Sequence, residues 1–283
     1  MPASIHSNSA SACELAPELA AKYEALKAEL RALGNVAVAF SSGVDSTLLL
    51  KVAHDELGDN AIAITAKASM VPAREVREAV EFCQVEGIRH IVLDVDAFSI
   101  EGFAANPPDR CYLCKTALFG TILAKAAELG FHHVAEGTNT SDLGDYRPGL
   151  KALGELAVES PYLKADMSKA DVRELSRALG LPTWDKPSYA CLASRVPYHD
   201  EITPEKLAAA EAAEDALIAA GFPQVRCRVH GNLARIEVPA SERIALMQAC
   251  TKTNLAQQIR NAGFDYVSID AEGYTSGSLN RTL

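Results

Sequence analysis

The sequence predicts an α/β protein: a parallel β-sheet with helices on both faces, followed by a smaller α+β C-terminal unit. Three observations carry this. Through the first half of the chain, short apolar, β-branched runs alternate with longer helical patterns, and each crossover between parallel strands must lay a helix on the sheet. After the proline-bounded stretch 187–197 the alternation gives way to an alanine-rich helix and a hairpin signal. The chain has 283 residues, 48% hydrophobic and 23% charged, which is enough to bury a main core and a second, smaller one.

Leu15, Leu19, Tyr23, Leu26, Leu30 and Leu33 recur at helical spacing and stop at Gly34, so 15–33 reads as a helix entering the buried strand 35–40. Helices are expected over 47–57, 72–86 and 115–129, with strands at 61–65, 90–93 and 133–136. Beyond Gly149 the pattern weakens. Thr203 at an N-cap position and Pro204 after it open a helix to Ala220, with Glu205 and Glu214 on its polar side. Segments 224–230 and 233–238 alternate around His230-Gly231-Asn232, a hairpin signal, and a helix over 241–262 and a strand over 266–269 follow. The expected division is a unit at 1–195 and a second at 196–283.

Lysine and arginine number 27 against 37 aspartate and glutamate, a net charge of −10 with no long basic run, which argues against nucleic acid held by bulk charge. The seven cysteines, odd in number and irregularly spaced, read as reduced thiols with a few special members. The first residues lack a charged-then-apolar leader pattern, and no window approaches the roughly 18 apolar residues of a membrane span. A cytoplasmic protein with no membrane partner, assembling as a homo-oligomer, is expected.

The most informative segment is 36–50, VAVAFSSGVDSTLLL. A hydrophobic strand turns directly into a helix, so the backbone N–H groups of Ser42, Gly43, Val44, Asp45 and Ser46 point outward at a helix N-terminus, where an anion is favoured. Gly43 permits close backbone approach, Ser41 and Ser46 add hydroxyls, and Asp45 suits a magnesium ion held against phosphates. The lysine and frame of a Walker A loop are missing, and an ordinary Ser/Gly capping turn is the plain alternative. The segment resembles the SGGxDS pyrophosphate loop of the PP-loop ATP pyrophosphatases, which share the adenine nucleotide alpha hydrolase-like fold. Ser42 stands where that pattern has a glycine; it keeps the N–H donor but restricts the backbone.

The resemblance implies ATP cleavage between the α- and β-phosphates, transfer of AMP to a substrate oxygen, and reception of adenine by the backbone of Ala63 to Ala66. It also implies that Gly137, Thr138 and Asn139, after the fourth strand, lie beside the nucleotide. Asp142, Asp145, Tyr146, Arg147, Pro148 and Gly149 follow, and the acidic ones are implied near metal or substrate. Alone, Gly137-Thr138-Asn139 is a weak turn signal.

Cys111 and Cys114 sit in RCYLCK after Asn106-Pro107-Pro108-Asp109, on an expected loop feeding a helix. Their spacing suits one metal and a helix start favours thiolates. Zinc, iron–sulfur and redox chemistry are all open to a lone pair of this kind, although zinc would want four ligands and no second C-x-x-C exists. A third thiol, Cys191, lies in KPSYACLASRVPY at 186–198, where a small buried apolar role is the plain alternative.

Taken together, the phosphate loop, RCYLCK, DYRPG at 145–149 and the Cys191 stretch resemble the LarE family. Its members are pyridinium-3,5-biscarboxylic acid mononucleotide sulfurtransferases that serve the nickel-pincer cofactor of lactate racemase. The likeness runs over most of the chain. One kind of member gives up the sulfur of a single cysteine; the other has three cysteines and a [4Fe-4S] cluster. With Cys111, Cys114 and Cys191 this chain resembles the second kind, which implies ATP, Mg2+ and a [4Fe-4S] cluster as cofactors and leaves Cys13, Cys83, Cys227 and Cys250 without a motif.

Arg226 and Arg228, alternating on the expected hairpin, resemble with Lys115, Ser194, Arg195 and Arg147 the family's phosphate-binding set, suited to a small anionic pyridinium mononucleotide. Surface salt bridges are the plain alternative for the arginines. Glu214 is a weaker match, His230 reads as a turn residue and Trp184 as core. The implied reaction is adenylation of the substrate carboxylates and their conversion to thiocarboxylates. Its rivals are a PP-loop iron–sulfur tRNA thiolase, against which the acidic charge counts, and the sacrificial-cysteine version of the same sulfurtransferase.

Overall fold

A computed structural model describes residues 15–143, 148–275 and 277–279. Its first half follows the expected alternation: α1 (Pro17–Leu33), β1 (Val36–Ala39), α2 (Val44–Leu57), β2 (Ala61–Lys67), α3 (Ala73–Glu86), β3 (His90–Asp94), α4 (Arg110–Glu128) and β4 (Val134–Ala135). The helices α5 (Pro148–Glu155), α6 (Pro161–Lys164) and α7 (Lys169–Ala178) lead to α8 (Pro204–Ala219), β5 (Arg226–His230), β6 (Leu233–Glu237), α9 (Arg243–Lys252), α10 (Leu255–Asn261) and β7 (Tyr266–Ile269).

The four strands of the first sheet are parallel in the order β3-β2-β1-β4. Apolar residues leave both faces of it. On one side Val36 and Val38 pack with Leu26, Leu30, Leu48, Leu49 and Leu175; on the other Ala37, Ile62 and Ile64 pack with Phe119, Ile122 and Leu153. That two-sided burial is why β1 and β2 read as continuous apolar runs instead of alternating ones.

The chain builds the sheet outward from β1 through β2 to β3, then returns to the far side of β1 with β4. The order therefore reverses between β1 and β4, and a crevice opens beyond the carboxyl ends of those strands, the usual ligand site of an open α/β sheet. Both turns that the sequence singles out, 40–46 and 136–139, leave the sheet at that point.

A second core gathers Leu192, Ala193, Leu207, Ala210, Leu217, Val229, Ile236 and Ile259, and takes in Met70, Ala97 and Phe103 from the first half. It lies under a three-stranded sheet, β5-β6-β7, in which the β5–β6 hairpin is antiparallel and β7 joins β6 in parallel. Thr203 caps α8 as expected, its side chain accepting the Lys206 N–H. Among the described residues no helix is long and apolar enough to cross a membrane.

Five local expectations are corrected. α2 begins at Val44, because Gly43 serves as its cap and brings Asp45 and Ser46 into the first turn. α4 begins at Arg110, so Cys111 and Cys114 lie in its first turns and not on the preceding loop. The helix expected over 241–262 is broken at Thr253, whose extended backbone (ψ −177°) ends α9 and whose hydroxyl accepts the N–H of Leu255 at 3.2 Å. Trp184 is 41% exposed rather than core, and Glu214 is fully buried instead of on the polar side of α8.

Candidate active site

A cavity of about 770 Å³ opens at the switch point and is lined from both halves of the chain, a size typical of small-molecule sites. The first half of the chain lines it with Ile64, Thr65 and Ala66 of β2, Phe119 and Ile122 of α4, Lys115, Gly137 and Thr138, and with Ser41, Gly43, Asp45 and Ser46 of the phosphate loop. Ser188, Ala190, Ser194, Arg226 and Arg228 line it as well.

The phosphate loop is ordered by its own hydroxyls. Ser46 Oγ accepts the Ser41 N–H at 3.3 Å, lies 3.1 Å from Ser41 Oγ and donates to the Gly43 carbonyl at 3.2 Å. Ser42 has φ +54°, the left-handed region in which the family pattern places glycine and which costs an L-residue about 1–2 kcal/mol. Its hydroxyl donates to the Glu75 carbonyl at 3.0 Å and its own carbonyl accepts Lys186 Nζ at 2.8 Å. These bonds offset the strain.

Asp45 is held from three sides. Lys169 Nζ donates to Oδ2 at 2.5 Å, Asn139 Nδ2 to Oδ1 at 3.2 Å, and the Tyr162 hydroxyl to its carbonyl at 2.8 Å. Gly137 lies against this residue so closely that a Cβ there would sit 2.8 Å from Asp45 Cβ and 3.2 Å from the Ser46 nitrogen. Glycine is thus required where β4's turn crosses the loop. Val44, buried in the core, contributes only its backbone to the site.

The thiol segments are tied to one another. Arg110, next to Cys111, donates to the Ala193 carbonyl at 3.2 Å and to Asn106 Oδ1. Asn106 Nδ2 in turn donates to the carbonyls of Pro197 at 2.6 Å and Asp200 at 3.0 Å. The Cys191 carbonyl accepts from Ser194 Oγ at 2.7 Å and from Arg195 at 3.2 Å.

Burial pushes the Cys114 thiol up to about 12, with the neighbouring thiols Cys191 and Cys111 adding to the shift and Arg110 and Lys115 opposing it. Cys111 is raised by burial and by Cys191 as well. Cys191 thus acts on both Cys111 and Cys114. Among the described residues no three His, Cys, Asp or Glu side chains are gathered tightly enough to hold a single metal ion; the donors present suit a sulfide-bridged iron cluster in kind, three thiols beside two cations.

The arginines differ in what they have left to give. Arg195 is fully buried in a bidentate pair with Glu214, Nε to Oε1 at 2.7 Å and Nη2 to Oε2 at 2.9 Å, and does not line the cavity. Burial pushes Glu214 up, but the charge and hydrogen bonds of Arg195 outweigh it and hold the carboxyl below its ordinary range. Arg228 is paired with Glu237 at 2.7 Å and donates to the Ser194 carbonyl at 2.7 Å. Arg226 lies between the rings of Tyr189 and Tyr274, 5.7 and 4.9 Å from their centroids, and donates to the carbonyls of Ser188 and Val225. Both Arg226 and Arg228 reach the cavity wall. Arg147, with the rest of 144–147, lies outside the described residues.

Sequence reasoning missed Lys169, Lys186, Asn106, Arg110 and Glu75. Lys186 and Arg110 stood inside quoted motifs and Asn106 in the stretch just before RCYLCK; Lys169 and Glu75 had no local signal.

No family model matches the chain. It is 44% identical over 265 residues to an uncharacterized protein of Synechocystis sp., covering 94% of this chain and 99% of that one. It is 38% identical over 266 residues to the pyridinium-3,5-bisthiocarboxylic acid mononucleotide synthase of Lactiplantibacillus plantarum, 94% and 96% of the two chains. A tRNA-specific 2-thiouridylase of Xanthobacter autotrophicus is 30% identical over 189 residues, but over only 54% of this chain and 49% of its own.

Proposed function

The chain belongs to the pyridinium-3,5-bisthiocarboxylic acid mononucleotide synthase family, and from that premise we propose that it adenylates the carboxylates of pyridinium-3,5-biscarboxylic acid mononucleotide with ATP and converts them to thiocarboxylates for a nickel-pincer cofactor. The single observation that carries this reading is one cavity floored by the phosphate loop and walled by Ser194, Arg226 and Arg228. A nucleotide and a small anion can meet in it. The thiouridylase likeness ends at about half of each chain, so it supports the nucleotide-activating half and gives no ground for an RNA substrate.

In this reading the outward N–H groups of 42–46 and the Ser41 and Ser46 hydroxyls hold the phosphates, with adenine against Ala66. Asp45 would hold Mg2+, and Lys169 now occupies the cation's place on its carboxylate. A substrate carboxylate oxygen attacks the α-phosphorus, pyrophosphate leaves, and an acyl-adenylate forms. Hydrosulfide-level sulfur then adds to the carbonyl carbon, AMP leaves with the bonding pair, and one proton is released for each thiocarboxylate formed. Cys111, Cys114 and Cys191 would hold a [4Fe-4S] cluster, which supplies that sulfur when bound. Arg110 and Asn106 fix the two thiol segments relative to each other, while Arg195, held by Glu214, positions the Cys191 turn.

The division of labour we propose is a nucleotide-activating unit at 1–195 and a substrate-holding unit at 196–283, in a protein free of nucleic-acid and membrane partners that forms homo-oligomers in the cytoplasm. The experiment that tests the sulfur source is anaerobic reconstitution with iron and sulfide analysis. Iron bound at cluster stoichiometry, and loss of thiocarboxylate on replacing any one of the three cysteines, supports it. No iron, with activity dependent on Cys191 alone, favours the sacrificial-cysteine version.

A further inference from the structure

Glu75 lies in the first turn of α3 and lines the main cavity. Its carbonyl accepts the Ser42 hydroxyl at 3.0 Å, which fastens it to the phosphate loop. Its carboxyl is mostly buried, and Oε1 is out of reach of solvent with no hydrogen-bond partner among the described residues. Other acids of the cavity wall are committed. Asp45 is held by Lys169 and Asn139, and Glu136 accepts from the Thr138 and Ser160 hydroxyls at 2.7 Å each.

The groups that face Glu75 are Arg74 and Glu78 of its own helix, Lys186 and Tyr189 of the segment after α7, and Arg195 of the turn before α8. Glu214 of α8 stands behind Arg74 at 3.7 Å. Lys186 is spent on Ser42 and Glu78 and Arg195 on Glu214; Arg74 gives Nη1 to Asp215 at 2.6 Å, and its buried Nε and Nη2 make no hydrogen bond to Glu75 or to any other described residue. An ionised carboxylate that is buried without hydrogen bonds is costly, and burial pushes this one up to about 7.

We propose that Glu75 meets the bound polyphosphate as a carboxylic acid, its O–H donating to a phosphate oxygen seated on the loop. The proposal rests on the reading of 41–46 as an ATP loop. An ionised carboxylate at this wall would repel a triphosphate; the neutral acid donates to it. An anion beside the acid favours its protonated form further, so the complex takes up a proton from solution and no bond other than this O–H changes.

The test is calorimetric titration of the full chain with MgATP in two buffers of different ionisation enthalpy, beside Glu75→Gln and Glu75→Ala. The wild type should take up protons on binding and the Gln variant should not. Wild-type affinity should fall by up to about tenfold per pH unit above neutrality, while the Gln variant stays flat. At neutral pH the Gln variant should keep its affinity within about threefold, and the Ala variant, without a donor, should lose about tenfold.

Equal uptake in the Gln variant, no proton exchange, or proton release by the wild type would each overturn the proposal; release would mark Glu75 as an anion facing a cation. If MgATP binds none of the three proteins, the ATP reading of the loop falls and the proposal with it. Binding without Glu75-dependent uptake removes the proposal alone.

Discussion

Ser42 shows how one residue reconciles a sequence departure with the geometry the loop needs. It takes the left-handed backbone at φ +54°, a cost of about 1–2 kcal/mol, and recovers part of it through hydrogen bonds to Glu75 and from Lys186, each worth about 0.5–1.5 kcal/mol net. Ser42→Gly removes strain and one hydroxyl bond together, so stability should change by less than about 1 kcal/mol in thermal unfolding. Gly137→Ala should behave otherwise. Its Cβ, 2.8 Å from Asp45 Cβ, must displace the loop, and ATP-dependent pyrophosphate release should fall by more than about tenfold while the circular dichroism spectrum is kept.

Glu75 makes a further residue-scale prediction. Its carboxyl, raised to about 7 by burial, keeps in the folded chain a proton that the unfolded chain has already lost. Native stability is therefore lost as pH rises from the ordinary carboxylate range to about 7, and the loss levels off above it. Glu75→Gln does not titrate, so its stability relative to wild type should climb across that window, by about 3 kcal/mol. A Tm difference that does not change with pH would contradict this.

At the scale of elements, the site depends on two turns crossing at the reversal of strand order and on the bridge between the thiol segments. The strands and the 41–46 loop were legible because their signals are local: apolar runs, a small-residue turn and a helix in immediate succession. The start of α4 was not, since no side chain caps it and the tertiary bonds of Arg110 and Asn106 help to hold it. Lys169 reaches Asp45 across 124 residues, a distance no spacing rule spans.

Asn106→Ala should take the donor from the Val196 and Asp200 carbonyls, leave the Pro197 carbonyl only the Asp200 N–H, and cost about 1–3 kcal/mol. Sulfur transfer should then fall more than pyrophosphate release, because the bridge supports the thiols and not the loop. Arg195→Ala should cost about 3–5 kcal/mol, since Glu214 is left charged and buried; a Tm unchanged within a degree or two would contradict its role in holding the Cys191 turn.

For the whole molecule, the acidic balance of the chain and the basic wall of its cavity are compatible because the arginines are few, buried and aimed. Composition argued against nucleic acid, and the resemblance implied a small anionic partner without saying where it sits; the fold brings Lys115 of the first half to the same cavity as Arg226 and Arg228 of the second. The change of pattern on which the proposed division at 195 rests was visible in the sequence. That the second core would draw Met70 and Phe103 from the first half was not, because those residues lie in segments between regular elements. The most direct test of the account is a paired assay of pyrophosphate and thiocarboxylate with cluster-loaded protein, MgATP and the pyridinium dicarboxylate mononucleotide. The account predicts that both products appear together, one pyrophosphate for each thiocarboxylate, and that neither forms without the mononucleotide. Pyrophosphate release that ignores the mononucleotide, or none at all from loaded protein, would contradict it.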